Sequence, residues 1–253
     1  MARTLDGTVA LVTGASSGIG RATALALAAE GASIAAVARR KDLLEALAQE
    51  LTSNGGTAVA IEGDVAQAGA GAEIVGRAVA ELGRLDIVIN NAGVMLLGPI
   101  ENAPLEEWRR MIAVNVSGLL EVTHAAIPHL LSAAQTSSRK VADIVNVSSV
   151  AGRIAREGSG VYNLTKWGVG AFSESLRQEL TTRYVRVSLV EPGVTATELA
   201  SHIRPEIREQ SQARFKGVNQ LGAQDIAQAI TFIVTRERDV LVNEVMVRPT
   251  QAV

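Results

Sequence analysis

The chain has 253 residues, of which 47% are hydrophobic and 20% are charged. A chain this long and this apolar can bury a sizeable core, which excludes a disordered or fibrous protein. Its 24 basic and 26 acidic residues give a net charge of -2, so it lacks the positive field that a nucleic-acid backbone requires of its partner.

The cysteine and histidine content argues against disulfides and metal sites. The chain has no cysteine and only three histidines. His124 and His129 are five residues apart, off the i, i+4 spacing that places two ligands on one helix face, and His202 lies far along the chain. There is also no run of roughly 18 apolar residues that would span a membrane. We predict a cytoplasmic protein without a metal and without nucleic-acid or membrane partners.

Apolar, β-branched runs alternate with longer segments of helical period along the chain. Seven such runs predict strands, at residues 8–13, 33–38, 57–61, 86–90, 142–147, 186–190 and 244–247. Strands that are apolar on both faces and separated by helices predict a mostly parallel sheet covered on both sides. Because no Pro/Ser-rich linker or internal repeat divides the chain, we expect a single α/β domain of the doubly wound, Rossmann type.

Two segments interrupt this alternation. Residues 134–140 are polar and predict a surface loop. Residues 195–222 contain no predicted strand, and within them residues 207–216 mix acidic and basic side chains as an exposed helix does. An insertion after the carboxyl end of a strand is a common place for a substrate lid, so residues 195–222 are a candidate lid. A solvated connector is the alternative.

A glycine-rich loop follows the first predicted strand and precedes a helical segment. It contains Gly14, Ser16, Ser17, Gly18, Ile19 and Gly20, with the glycines spaced as G-x-x-x-G-x-G. Glycines allow backbone amides and a helix amino terminus to approach a pyrophosphate, which a Cβ would obstruct. A tight turn that needs glycine for shape alone is the alternative. The position between strand and helix favours dinucleotide binding.

Basic residues follow the second predicted strand. In proteins that bind NAD, an acidic residue at this point bonds the ribose 2'-hydroxyl. Here Arg39, Arg40 and Lys41 stand instead, and a guanidinium suits a 2'-phosphate. Solvated residues at the start of a helix are the alternative, although the helix dipole opposes cations there. We predict NADP rather than NAD.

A tyrosine and a lysine are spaced for one helix face. Of the two tyrosines, Tyr162 has Lys166 four residues later, within a segment of helical period. At about 5.5 Å and an effective dielectric near 20, an ammonium would favour a phenolate by roughly 3 kcal/mol, about two pKa units. We therefore expect Lys166 to bring the pKa of Tyr162 toward neutral pH and the pair to act in acid/base chemistry. Ordinary surface residues are the alternative.

Further polar residues follow the predicted fourth and fifth strands. Asn91, Ala92 and Gly93 follow one, and Ser149 follows the other. Because the carboxyl ends of parallel strands meet at one edge of the sheet, these residues are expected near the glycine loop. Ser149 is a candidate donor to a substrate oxygen on which charge develops. Turn and cap residues are the alternative.

In this combination the sequence resembles the short-chain dehydrogenase/reductase family over nearly the whole chain. The family's motifs occur in order at residues 13–20, 64–65, 90–93, 115, 149, 162–166 and 192–193. The resemblance implies Tyr162 as general acid/base, Lys166 as the residue that lowers its pKa and binds the nicotinamide ribose, Ser149 as orienting the substrate oxygen, and Asn115 as supporting a proton relay through water. Ser149 matches better than Ser148 because the family's serine precedes its tyrosine by thirteen residues.

The resemblance also implies coenzyme and substrate contacts. Beyond the glycine loop, Arg39 and Arg40, the coenzyme contacts would be Asp64, Val65, Asn91, Ala92, Gly93, Tyr162, Lys166, Pro192, Gly193, Val194 and Thr197. The residues expected beside the substrate are Met95, Leu96, Ile154, Val161 and Leu199, all of which core packing would explain equally well. One position departs from the pattern: many NADP-preferring members carry a basic residue where Ser17 stands here.

The resemblance is strongest to an NADP-preferring branch that contains clavulanic acid dehydrogenase and reductases of unassigned specificity. It implies an NADP-dependent oxidoreductase that transfers a hydride between NADP(H) and a carbonyl or secondary alcohol. Similar proteins are homotetramers or homodimers. Two alternatives are a non-catalytic protein that senses a dinucleotide, and a methyltransferase, which would want an acid where Arg39 stands.

Overall fold

The structure, a computed structural model, describes residues 3–214, 217 and 219–251. Its seven strands are β1 (Val9–Thr13), β2 (Ser33–Ala38), β3 (Ala58–Glu62), β4 (Ile87–Asn90), β5 (Ala142–Val147), β6 (Val185–Pro192) and β7 (Glu244–Val247). All seven predicted strands are confirmed, with ends that differ by at most two residues.

The strands form one parallel sheet in the order β3-β2-β1-β4-β5-β6-β7. The chain runs outward in one direction from β1 to β3 and in the other from β4 to β7. This reversal leaves a crevice at the carboxyl ends of β1 and β4, the point at which doubly wound sheets bind ligands. The predicted fold class, a single Rossmann-type domain, is confirmed.

Within the described residues, eight α-helices accompany the strands. They are α1 (Gly18–Ala29), α2 (Lys41–Ser53), α3 (Ala70–Leu82), α4 (Leu105–Ile112), α5 (Leu119–Thr136), α6 (Gly160–Leu180), α7 (Pro205–Arg214) and α8 (Ala223–Val234). A π-helical turn, Ala113–Gly118, joins α4 to α5, and a 3-10 turn, Glu198–His202, precedes α7.

The sheet has a core on each face because alternate strand residues point in opposite directions. Ala10 and Val12 of β1 pack with α1, α2 and α8, whereas Val9 and Leu11 pack with α3, α5 and α6. The five inner strands are therefore buried on both sides, which is why they could be recognised as apolar runs rather than as alternating patterns. The edge strands β3 and β7 are only partly buried.

The structure differs from the sequence prediction in two segments, the loop expected at 134–140 and the helix expected at 207–216. Residues 134–140 are not entirely a loop, because α5 continues to Thr136 and Ala134 is 5% exposed in the core. The helix expected at 207–216 is α7, which begins two residues earlier, at Pro205. Residues 215 and 216 lie outside the described residues. Whether 195–222 acts as a lid stays a prediction.

Residues Leu105–Thr136 form a helical stretch that is long and apolar enough to cross a membrane by length and composition alone. Seven residues of its α5 part are buried, among them Val122, Ala126 and Leu130. These residues pack in the core between the sheet and α3. The apolar character of the stretch therefore has an explanation within the fold, as a core helix.

Candidate active site

The glycine loop at the switch point is shaped for close backbone approach. Gly14 and Gly18 have φ angles of +67° and +54°, which side chains other than glycine rarely adopt. Helix α1 begins at Gly18, so its free amides face the crevice. Gly20 serves a different purpose from the one expected, because a Cβ there would lie 2.3 Å from the Gly14 carbonyl oxygen. It packs behind the loop and does not line the cleft.

Arg39 and Arg40 stand at the mouth of this loop. Arg39 is exposed and lines the cleft. Arg40 donates from Nη2 to Ser16 Oγ at 3.0 Å and to Ser17 Oγ at 2.7 Å. Its Nη1 also lies 2.8 Å from a carboxylate oxygen of Glu198, in the 3-10 turn before α7. A cation that could meet a 2'-phosphate is thus already paired with an acid that the sequence reasoning missed.

The residues after β4 tie that strand to the glycine loop. The Asn91 side chain donates to the Thr13 carbonyl at 2.9 Å, and the Thr13 hydroxyl accepts from the amides of Asn91 and Ala92, both at 3.0 Å. Asn91, Ala92 and Gly93 therefore stand where the sequence placed them, on the wall of the cleft. Asp64 and Val65, after β3, line the same cleft.

Tyr162 and Lys166 lie one helical turn apart near the start of α6, and both line the cleft. Each is only 6% exposed. The Lys166 Nζ donates to the Val147 carbonyl oxygen at 2.9 Å and lies 5.9 Å from the centroid of the Tyr162 ring. The expected pair on one helix face is present, at the carboxyl end of β5.

The electrostatic consequence differs from the expectation. Burial raises the pKa of Tyr162 from 10.0 to about 12, and a hydrogen bond with Ser149 offsets only part of that rise. Burial also lowers the pKa of Lys166 from 10.5 to about 8. The expectation that Lys166 brings the Tyr162 pKa toward neutral pH is wrong for the protein chain by itself, because desolvation disfavours the charged form of both groups.

The two serines after β5 have different roles. The Ser148 hydroxyl is buried and donates to the Lys166 carbonyl at 3.0 Å, so it holds α6 against the sheet. Ser149 lines the cleft beside Tyr162, where its Oγ accepts from the Ala151 amide at 3.1 Å. As a donor, its Oγ lies 3.5 Å from the Pro192 carbonyl oxygen, which is a weak hydrogen bond. Of the two hydroxyls, Ser149 is the one available to a ligand.

Asn115 is 2% exposed and does not line the cleft. Its Oδ1 accepts from the Val94 amide at 2.8 Å, and its Nδ2 donates to the Val94 carbonyl at 2.9 Å and to Thr165 at 3.2 Å. The side chain thus fastens the segment after β4 to α6 at Thr165, the residue directly before Lys166. Asn115 lies in the π-helical turn, and its part in a proton relay stays a prediction.

The remaining predicted contacts divide into two groups. Pro192, Gly193, Val194 and Thr197 line the cleft, as do Met95, Ile154 and Leu199. Leu96 and Val161 do not, contrary to the expectation: Leu96 is 8% exposed and packs behind the wall in a cluster with Tyr162, against which Val161 also packs. Met95 and Leu97, the neighbours of Leu96 in the chain, both line the cleft, whereas Leu96 faces the core.

The sequence reasoning missed several residues of the cleft. Five basic residues line it: Arg110 of α4, Arg156 of the loop before α6, His202, Arg208 of α7, and Arg248. It also missed Asn163, whose Nδ2 donates to the carbonyls of Ala151 at 2.6 Å and Ile154 at 3.0 Å. No local pattern marks these residues, because they come from segments far apart in the chain.

The cleft as a whole fits a dinucleotide. Its volume is about 930 Å³, and it runs from Arg39 past the glycine loop to Tyr162 and Ser149. At the loop a Cβ on Gly14 would lie 2.9 Å from the Asn91 side chain and one on Gly18 3.2 Å from Thr197, so glycine is needed at both positions. Free helix amides for a pyrophosphate and guanidinium groups for a 2'-phosphate stand in one continuous groove. Within the described residues, no three His, Asp or Glu side chains converge as metal ligands do.

A family model for short chain dehydrogenases matches residues 8–208. The chain is 37% identical over 245 residues to a glycine betaine reductase of Emericella nidulans. The matched region covers 97% of this chain but only 19% of that longer protein. It is 34% identical over 249 residues to an uncharacterized oxidoreductase of Listeria monocytogenes, with 98% of both chains covered.

Solved structures resemble the whole chain. A metagenomic short-chain oxidoreductase in complex with NADP has a TM-score of 0.81 and 32% identity, over 98% of this chain and 99% of that one. A 3-ketoacyl-(acyl-carrier-protein) reductase from Brucella melitensis, complexed with NADH, has a TM-score of 0.85 and 29% identity, over 98% and 100%.

Proposed function

Because this chain belongs to the short-chain dehydrogenase family and is a dehydrogenase/reductase, we propose that it reduces a carbonyl compound with NADPH, or oxidises the corresponding alcohol, with Tyr162 as general acid/base. The observation that carries the proposal is the meeting of Tyr162, Lys166 and Ser149 at one end of a cleft whose other end is the glycine loop. A protein that only senses a dinucleotide would not need this set.

When bound, the coenzyme supplies the hydride. The chain's own residues hold the substrate oxygen and supply its proton. Ser149 would donate to the substrate oxygen as charge develops, and Tyr162 Oη would protonate it. Since burial raises the pKa of Tyr162 to about 12, its phenol keeps its proton at neutral pH, which suits the reduction direction. The Lys166 ammonium, held by Val147, favours the phenolate that remains.

We assign NADP as the preferred coenzyme on the basic residues after β2. Arg39 is exposed in the cleft, and Arg40 bridges Ser16 and Ser17 of the loop. Relatives support either coenzyme, since one similar structure holds NADP and another NADH. Replacing Arg39 with Asp should move the ratio of kcat/KM for NADPH and NADH toward NADH by at least about tenfold, the loss of one charge-assisted contact. An unchanged ratio would show that no phosphate is bound there.

The reaction class is tested by following the hydride. The protein is incubated with NADPH deuterated at the transferred position of C4 and a panel of ketones, diketones and aldehydes. We expect an alcohol product that carries the deuterium on the former carbonyl carbon. Coenzyme oxidation without labelled alcohol, or no oxidation with any member of the panel, would refute the proposal.

We also propose that the chain assembles as a homotetramer or homodimer. Leu164 and Trp167 on the outer face of α6 are 63% and 51% exposed, and Phe232 on α8 is 50% exposed. Two separate apolar faces favour a tetramer over a dimer. Light scattering on a sizing column should give four times the chain mass, and Trp167→Glu should reduce it. A cytoplasmic location stays a prediction.

A further inference from the structure

The charged residues on the cleft wall are distributed unevenly between its two ends. They are Arg39, Arg40, Asp64, Arg110, Arg156, Lys166, Glu198, His202, Arg208 and Arg248. The two acids both stand at the coenzyme end: Asp64 follows β3, and Glu198 is 2.8 Å from Arg40. Among the residues that the structure describes, the wall beyond Tyr162 therefore carries arginines and no acid. In the chain as a whole, acids outnumber bases, 26 to 24.

Three of these arginines come from separate elements around the substrate end. Arg110 lies on α4, Arg156 in the loop before α6, and Arg208 on α7. Among the residues the structure describes, none of the three has a carboxylate oxygen within 4.0 Å.

The arginines nearest to them in sequence are all paired. Arg109 lies 2.6 Å from Glu106, Arg153 lies 2.8 Å from Glu191, and Arg204 lies 3.1 Å from Glu107. Ion pairing is therefore available along each of these segments. In the described part of the chain, the arginine of each pair that faces the cleft has no acid within ion-pair distance, whereas its neighbour has one.

One of the three is fixed relative to the proposed acid/base. The amide of Arg156 donates to Asn163 Oδ1 at 3.3 Å, and Asn163 directly follows Tyr162 on α6. The same asparagine binds the carbonyls of Ala151 and Ile154. The loop that carries Arg156 is thereby anchored to the helix that carries Tyr162, as a site that positions a substrate would require.

Apolar side chains stand between these arginines and the reactive end of the cleft. Met95, Leu97, Ile154 and Leu199 line it there. We propose, on the basis of the proposed function, that the substrate is a carbonyl compound with an anionic group, a carboxylate or a phosphate, held by Arg110, Arg156 and Arg208. Its carbonyl would reach Tyr162 and Ser149 across the apolar wall, and its charge would lie at the rim.

The test compares molecules that differ only in charge. NADPH-dependent reduction is measured for 4-oxopentanoate against its methyl ester, and for hydroxyacetone phosphate against hydroxyacetone. For whichever carbonyl of the wider panel is reduced fastest, inhibition by pentanoate is compared with inhibition by pentanamide. We expect the anionic member of at least one pair to have about a tenfold or larger advantage in kcat/KM or inhibition, and the pair that shows it distinguishes carboxylate from phosphate.

Variants connect that preference to the arginines. Two variants test this: Arg156→Gln, and a triple variant that adds Arg110→Gln and Arg208→Gln. Both should lose the advantage of the anion, so that the charged and neutral members of the pair have similar kcat/KM or inhibition. Arg109→Gln, one residue from Arg110 but paired outside the cleft, should keep it. The advantage should also shrink as salt is added. Thermal unfolding checks that each variant is folded.

The outcomes separate the two proposals. Reduction of some carbonyl with no advantage for any anion, or an advantage that survives in the triple variant, overturns the anionic substrate and leaves the oxidoreductase. No reduction of any carbonyl overturns the proposed function, and the substrate inference with it.

Discussion

The buried ammonium of Lys166 lowers the free energy of unfolding of the protein, and this effect can be measured directly. This ammonium is buried, and burial lowers its pKa from 10.5 to about 8. In the unfolded chain the same ammonium is solvated. Folding at neutral pH must therefore transfer a charge into apolar surroundings, with the Val147 carbonyl as its hydrogen-bond partner. We predict that Lys166→Met makes the protein more stable in the absence of coenzyme.

The magnitude follows from the pKa shift. A pKa of about 8 in the folded protein against 10.5 in the unfolded chain corresponds to roughly 3 kcal/mol of folding free energy at a pH below both values. The methionine loses the hydrogen bond to the Val147 carbonyl, worth about 1 kcal/mol. The expected gain in the free energy of unfolding at neutral pH is therefore about 2 kcal/mol.

The pH dependence has a definite sign. Below about pH 8 both states of the wild type hold the proton and the full cost is present. Between pH 8 and 10.5 the native state has released the proton while the unfolded chain still binds it, so wild-type stability rises with pH. Lys166→Met has no such titration, and the difference between the two proteins should shrink across this window.

The assay is urea unfolding of both proteins without coenzyme, at about pH 7 and about pH 9.5. Lys41→Met is the matched control, because Lys41 is 62% exposed and should change stability by only a few tenths of a kcal/mol. The reasoning is refuted if Lys166→Met is less stable than the wild type at neutral pH, or if its advantage does not change with pH. Turnover should fall in the same variant, a trade of activity for stability.

Two further predictions concern the coenzyme end of the cleft. Gly20→Ala should weaken NADPH binding at least about tenfold and lower the melting temperature, because its Cβ would meet the Gly14 carbonyl at 2.3 Å. Gly76→Ala is the control, because a Cβ there would have no atom within 4 Å. Equal effects of the two substitutions would contradict the expectation. Glu198→Gln should tighten NADPH binding about two- to fivefold and leave NADH binding unchanged, because it frees Arg40 from a competing carboxylate. Fluorescence titration measures both, and weaker NADPH binding in Glu198→Gln would argue that the Arg40 pair organises the site.

The sequence predicted the sheet well because its signals are local. A strand buried on both faces needs an apolar run, and the glycine loop needs its spacing, so both could be recognised within a few residues. The spacing of Tyr162 and Lys166 was equally visible. What spacing could not supply was burial: both side chains are 6% exposed, and desolvation reverses the expected direction of the Tyr162 pKa.

The substrate end was predicted poorly because it depends on orientation and on distant segments. Met95 and Leu96 are adjacent and equally apolar, yet only Met95 faces the cleft. Arg110 and Arg156 meet there from different elements, and no spacing in the sequence connects them. Which side chain of a neighbouring pair turns inward is decided by the packing of the whole chain.

The central claim, that Tyr162 delivers the proton at the end of a coenzyme cleft, is tested most directly by one pair of variants. Tyr162→Phe and Tyr184→Phe each remove one of the chain's two tyrosine hydroxyls, and Tyr184 lies away from the cleft, against Arg238. Coenzyme affinity and single-turnover reduction are measured for both. We predict that Tyr162→Phe binds NADPH as tightly as the wild type but loses at least about a hundredfold in the rate of reduction, the lower range for removing a general acid, whereas Tyr184→Phe keeps both. Undiminished reduction by Tyr162→Phe would contradict the account.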